Sequence, residues 1–144
     1  MRSTKAFLYR VKKLDQMIEN KKEERERWYL LATNITAGSA PETGVRVQSS
    51  GSQQRMADAI DRKIDIGAEI DAAIRQLYKE RQEIISMIEQ LSFDEYDILY
   101  KVYIQYHELR EVADMKNRSY SWVTSVHGIA LKNLQKIIDS KNCD

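Results

Sequence analysis

The chain has little of what interrupts or cross-links a polypeptide. Its 144 residues include one proline, five glycines and one cysteine. Because an all-β domain needs many Gly- and Pro-containing turns, this scarcity favours long helices over a β-sandwich, as does the abundance of Ala, Glu, Lys, Ile and Leu. Cys143 has no second cysteine to pair with, which excludes an internal disulfide and fits a reducing compartment.

Long apolar runs are absent as well. No stretch of about 18 apolar residues occurs, and the N-terminal segment MRSTKAFLYRVKKLDQ lacks the apolar core of a secretory signal. We therefore expect a soluble, cytoplasmic protein that has no membrane partner. The formal net charge is +1, so any attraction to nucleic acid must come from the local distribution of charge.

Catalytic and ligand-binding motifs are missing too. The sequence shows no nucleophile–base pattern and no phosphate-binding glycine loop. His107 and His127 are too far apart in sequence to suggest a metal-ligand pair. We expect no enzymatic activity, no cofactor and no metal.

The first predicted helix covers residues 4–33. Its apolar positions follow alternating spacings of four and three, which places them on one stripe: Phe7, Val11, Leu14 and Ile18. The same register then meets Lys21 and Arg25 and recovers at Trp28 and Ala32. Such a polar break weakens packing but can fix the register between helices.

Residues 34–53 interrupt the helical pattern. They contain the only proline and three of the five glycines. A loop of about 20 residues is longer than a compact domain usually holds, so this segment is either a flexible linker or a functional loop. We expect it to be mobile.

The helical pattern returns from about Gln54 to Gln90 as a heptad seam. Its members are Gly67, Ile70, Ile74, Leu77, Arg81, Ile84, Ile88 and Leu91, with Ile60 and Ile64 joining upstream through a slip near Gly67. Two long helices around a loop predict an antiparallel coiled-coil hairpin over residues 1–91. The seam can equally pair between two chains, which would make a homodimer, and the sequence leaves both arrangements open.

Residues 92–144 predict a second domain of three helices. In the first, Ser92 is the expected N-cap and the apolar face contains Phe93, Tyr96, Leu99, Tyr100, Tyr103 and Ile104. A short second helix runs from about Glu108 to Met115, and KNRS forms a turn in which Asn117 adopts the left-handed conformation. Ser119 or Ser121 caps the third helix, whose buried stripe is Val123, Val126, Ala130, Leu131 and Leu134. This pattern is typical of a trihelical helix-turn-helix.

The C-terminal residues resemble a known family. Glu111-Val112-Ala113, Ser119, Val123, Val126, Ala130-Leu131 and Leu134 match region four of bacterial sigma factors without a gap. Together with VRVQSSGSQQRMADAIDRKIDI, they make the chain similar to phage-encoded late transcriptional regulators of the ArpU and RinA type. The resemblance implies a phage or prophage regulator that binds promoter DNA through its C-terminal domain, with RNA polymerase as a further partner.

The resemblance also indicates which residues would contact double-stranded DNA. These are Lys116, Arg118, Ser119, Tyr120, Ser121, Trp122, Thr124, Ser125 and Lys132. Where sigma factors expose Arg, Glu and Gln on the third helix, this chain has Tyr, Ser, Trp and Thr, so an Arg-to-guanine contact has no evident source there. Alternatively, Ser119 is only a helix cap, and Tyr120 and Trp122 pack against the first helix of the domain.

Charge is segregated within this domain. Residues 115–138 contain four Lys or Arg, no Asp or Glu, and His127 as a further candidate for positive charge, whereas residues 94–114 contain six acids and two bases. A surface that faces phosphates requires such separation. Two other functions fit the same pattern. One is DNA packaging, as in a small terminase subunit, and the other is docking on RNA polymerase without contacts to bases.

Overall fold

The described part of the chain is all-α, as the sequence predicts. The computed structural model describes residues 3–38 and 50–143, and their side chains from 3 to 32 and from 53 to 143. The helices are α1 (Thr4–Gly38), α2 (Ser50–Ile88), α3 (Phe93–Leu99), α4 (Leu109–Lys116) and α5 (Tyr120–Asn142), with a π-helical turn at Tyr100–Ile104. None of these described helices has the length and apolar character needed to cross a membrane.

The predicted loop at 34–53 includes residues at both ends that are helical in the structure. Residues 34–38 continue α1, and residues 50–53 already belong to α2. Extending an existing helix adds one hydrogen bond for each residue that is fixed, so weak helix formers such as Asn34 and Thr36 can continue it. Residues 39–49, the rest of the segment that we expected to be mobile, lie outside the described residues.

The chain divides into two compact units. We call residues 1–16 and 78–144 the terminal unit and residues 17–77 the central unit. Because α1 and α2 each contribute to both units, this division differs from the predicted boundary between residues 91 and 92. That boundary stays a prediction about which part of the chain carries which function.

In the central unit, α1 and α2 pack through one part of the predicted seam. Ile18, Ile70, Ile74 and Leu77 are buried. The Trp28 indole N–H donates to the carbonyl oxygen of Lys63 at 3.1 Å, and Arg25 pairs with Asp71 at 3.0 Å. Trp28 follows Arg25 in α1, whereas its partner Lys63 precedes Asp71 in α2. The two segments therefore run antiparallel within this unit.

The prediction that Ile60 and Ile64 join the buried seam is wrong. Their side chains are 40% and 65% exposed. Six residues separate Ile64 from Ile70, and at 3.6 residues per turn this spacing puts them about 120° apart around the helix. The slip near Gly67 therefore turns Ile64 away from the face that buries Ile70.

In the terminal unit, the start of α1 and the end of α2 supply much of the core. Leu8, Val11, Leu14, Ile84, Ile85, Met87 and Ile88 are all buried. Asp15 accepts from Arg81 at 2.7 Å and also from the Tyr106 hydroxyl. Leu8, Ile85 and Met87 lie outside the predicted stripes, because these helices bury a face wider than one heptad seam.

The first predicted helix of residues 92–144 is divided in two. α3 ends at Leu99, and in the π-helical turn that follows the Gln105 N–H donates to the Tyr100 carbonyl oxygen at 3.0 Å. Phe93, expected on the apolar face, is 72% exposed, because it lies five residues and about 140° from the buried Ile98. Ser92 occupies the N-cap position, although its side chain makes no capping hydrogen bond.

The burial pattern of α2 can be tested with two matched variants in the central unit. Ile74→Ala should lower the free energy of unfolding by about 2–5 kcal/mol, because it removes a buried side chain and leaves a cavity. At protein concentrations where the chain is monomeric, Ile64→Ala should change it by no more than about 0.5 kcal/mol, because Ile64 is largely exposed. Urea denaturation of both variants measures the difference, and equal losses would contradict this assignment of the buried face.

Candidate nucleic-acid interface

The turn between α4 and α5 has the conformation expected from the sequence. Asn117 is left-handed, with φ 56° and ψ 43°. The Arg118 N–H donates to the Ala113 carbonyl oxygen at 3.0 Å, and the Ser119 hydroxyl accepts from the Trp122 N–H at 3.1 Å. Asn117 thus ends α4 and Ser119 caps α5, which confirms both predictions.

A small apolar cluster joins three helices around this turn. Ile98 of α3, Val112 and Ala113 of α4, and Val123 of α5 are buried together. Val102, Leu109, Trp122 and Val126 pack against them and are partly buried. Ala130 and Leu134 continue the buried stripe of α5 as predicted, whereas Leu131 is half-buried. The packing determines which face of α5 points to solvent.

The exposed face of α5 carries short hydroxyls and lysines. Ser121, Ser125, Lys132 and Lys136 are exposed. Thr124 is half-buried, and its hydroxyl donates to the Ser121 carbonyl oxygen at 2.9 Å, so it is less available to an external ligand than the two serines. No carboxylate interrupts this face from Tyr120 to Ile138.

Two aromatic residues at the start of α5 each contact the guanidinium of an arginine. The Arg118 guanidinium carbon lies 4.7 Å from the centre of the Trp122 ring, and that of Arg110 lies 5.3 Å from the centre of the Tyr120 ring. Tyr120 is 48% exposed, whereas Trp122 is half-buried, so the alternative that this ring packs inward holds for Trp122 in part. Arg110 was not among the predicted contact residues, because no sequence spacing links it to Tyr120 ten positions later.

Lys116 is held by acids of the same unit. Its ammonium pairs with Asp97 at 2.6 Å and Asp94 at 3.3 Å, and its side chain is 11% exposed. Burial by itself would lower the pKa of Lys116, but hydrogen bonds to Asp97 and Asp94 and their charges raise it. These contacts favour a role inside the fold, and a contact of Lys116 with DNA stays an untested prediction.

The acidic side chains of α3 therefore have charged or polar partners within the terminal unit. Asp97 also accepts from Lys101 at 2.5 Å, and Glu95 accepts from the Asn133 amide at 2.9 Å. In contrast, Arg110, Arg118, Lys132 and Lys136 form no salt bridge with a carboxylate among the residues with described side chains. These four cations lie on α4, the turn and α5.

His127 faces the interior of the unit. Its Nε2 lies 3.0 Å from the Tyr103 hydroxyl, and the two rings stack. Burial, together with the charge of Lys5, lowers the pKa of His127, while burial and the neighbouring Tyr9 raise the pKa of Tyr103 to about 12. Near neutral pH, His127 therefore adds no positive charge to the candidate surface.

Metal ligands do not come together in the part of the chain that the structure describes. No group of three His, Cys, Asp or Glu side chains there is arranged to hold an ion. Comparison with family models, with curated proteins and with solved structures finds no match to this chain.

Lys116→Ala separates an internal role from a surface role. The change should lower the free energy of unfolding by about 1–3 kcal/mol, because it removes a nearly buried partner of Asp97. Lys132→Ala, which changes an exposed lysine, should alter stability by less than about 0.5 kcal/mol. Thermal melts of the two variants measure this difference. If Lys116→Ala melts at the same temperature as the wild type, the ion pairs contribute nothing to stability.

The same site predicts a pH dependence. Burial alone would raise the pKa of Asp97, but hydrogen bonds from Lys101 and Lys116 and their charges lower it below 3.8. A carboxylate with a lowered pKa stabilises the fold above its unfolded pKa, and this contribution is lost as the pH falls through the folded value. The free energy of unfolding of Asp97→Asn should therefore be lower than that of the wild type at pH 7. The difference between the two should become smaller below pH 3.8.

Proposed function

We propose that this chain is a phage or prophage transcriptional regulator that binds promoter DNA. In this proposal α3, α4 and α5 form a helix-turn-helix domain similar to sigma region four, and α5 enters the major groove. Residues 92–144 would carry the DNA-binding function, and the protein would have no catalytic activity. The resemblance of the sequence supports this assignment, as does the left-handed turn at Asn117.

The observation that carries the proposal is the distribution of charge. The exposed face of α5 presents Ser121, Ser125, Lys132 and Lys136 with no acid among them. Meanwhile α3 uses Asp97 and its neighbours to bind lysines of the same unit. A face that combines hydroxyls with unpaired cations can approach phosphates and base edges without meeting repulsive charge.

The helices α1 and α2 are proposed to form a coiled-coil hairpin that also pairs with a second copy. The central unit leaves several large apolar side chains exposed: Leu30, Leu31, Met56, Ile60 and Ile64. A second copy would bury part of this surface and bring two DNA-binding domains to one site. Since one domain offers few free cations, a dimer would gain affinity by doubling its phosphate contacts.

A second candidate function is docking on RNA polymerase without contacts to bases. It is favoured by the short side chains on α5, where serines replace the long Arg and Gln side chains that usually read bases. The two proposals differ in one measurable property, namely whether the protein prefers some duplex sequences over others.

Selection from a library of random duplexes tests the proposed function. The wild-type protein should enrich a defined sequence and bind it more tightly than an unrelated duplex at physiological salt. Ser121→Ala and Ser125→Ala should each reduce this preference by about 1 kcal/mol, or roughly fivefold, for each hydrogen bond lost.

Ser140→Ala is the matched control, because Ser140 is exposed near the other end of α5. It should leave the preference unchanged. Equal binding of all duplexes, seen only at low salt, would overturn promoter recognition and leave the polymerase-docking proposal in its place.

A further inference from the structure

Two arginine–aromatic contacts flank the exposed face of α5. Tyr120 and Trp122 are the neighbours of Ser121 in the chain, which places them about 100° from it on opposite sides of the helix axis. The exposed serines at 121 and 125 lie on the stripe between them. The stripe is thus bordered by an aromatic ring on each side.

Each ring supports a guanidinium that comes from outside α5. Arg110, from the first turn of α4, lies over Tyr120, and Arg118, from the turn between α4 and α5, lies over Trp122. A guanidinium stacked on a ring keeps its N–H groups at the edge available for hydrogen bonds. Neither arginine has a carboxylate partner among the residues with described side chains, so both can bind an external anion.

We infer that Arg110 and Arg118 are a pair of phosphate contacts, one for each DNA backbone that borders the groove receiving α5. This inference rests on the proposed function. The major groove is about 12 Å wide and is bordered by a phosphate backbone on either side, so a helix within it needs cations on both flanks to fix its position. Tyr120 and Trp122 then hold the two guanidiniums, and reading of bases falls to the serines between them.

Salt-dependent binding tests the pair. The probe is a fluorescein-labelled duplex about three helical turns long, and its anisotropy is followed at several salt concentrations. Arg110→Ala and Arg118→Ala should each weaken binding on the order of tenfold and reduce the slope of log K against log salt by about 0.9, and the double variant should reduce it by about twice that.

Three further variants exclude indirect effects. Arg75→Ala removes an exposed arginine of the central unit and should leave the slope unchanged. Arg110→Lys keeps the charge and should retain most of the slope. Tyr120→Leu should weaken binding, but combining it with Arg110→Ala should add little to the loss of Arg110→Ala alone, because the ring acts through the arginine.

Phosphate ethylation interference locates the two contacts on a duplex enriched by the wild-type protein. Arg110→Ala should remove interference on one strand and Arg118→Ala on the other. Loss on the same strand for both variants, or a wild-type salt slope for Arg110→Ala, would overturn the inference while duplex binding by the wild type stands. If the wild type binds no duplex at any salt concentration, the proposed function itself fails, and this inference fails with it.

Discussion

Burial of Val123 against Ile98, Val112 and Ala113 is the interaction on which the candidate surface depends. It joins the first residues of α5 to α3 and α4, and it fixes the rotation of α5 about its own axis. The left-handed Asn117 makes this packing attainable, because it turns the chain within three residues between α4 and α5. With one face of α5 buried, Ser121 and Ser125 must point to solvent.

Electrostatic contacts within the terminal unit complete this arrangement. Asp97 lies between Lys101 and Lys116, so acidic and basic groups neutralise each other away from α5. The arginines at 110 and 118 lie on aromatic rings and pair with no carboxylate among the described side chains, so they stay available for an external anion. The acids of α3, which the sequence separates from the basic segment at 115–138, therefore stabilise the domain that would bind DNA.

Local patterns in the sequence predict the helices and the turn well. The αL tolerance of Asn117 and the capping capacity of Ser119 depend on nearest neighbours, so they can be read from the sequence. The exposure of Ile64 follows from its six-residue spacing to the buried Ile70, whereas the contact between Arg110 and Tyr120 depends on tertiary packing, which residue spacing does not encode. For the same reason the sequence placed Lys116 on the surface, because its acidic partners come from another helix.

The central claim is that the exposed face of α5 is the surface that meets DNA. The most direct measurement is the change in backbone amide resonances of the ¹⁵N-labelled protein as a duplex is added at moderate salt. The account predicts that the largest shifts occur from Arg118 to Ser125 and at Arg110, with the central unit little affected. Shifts confined to residues 17–77, or no shifts under conditions where the duplex binds, would contradict it.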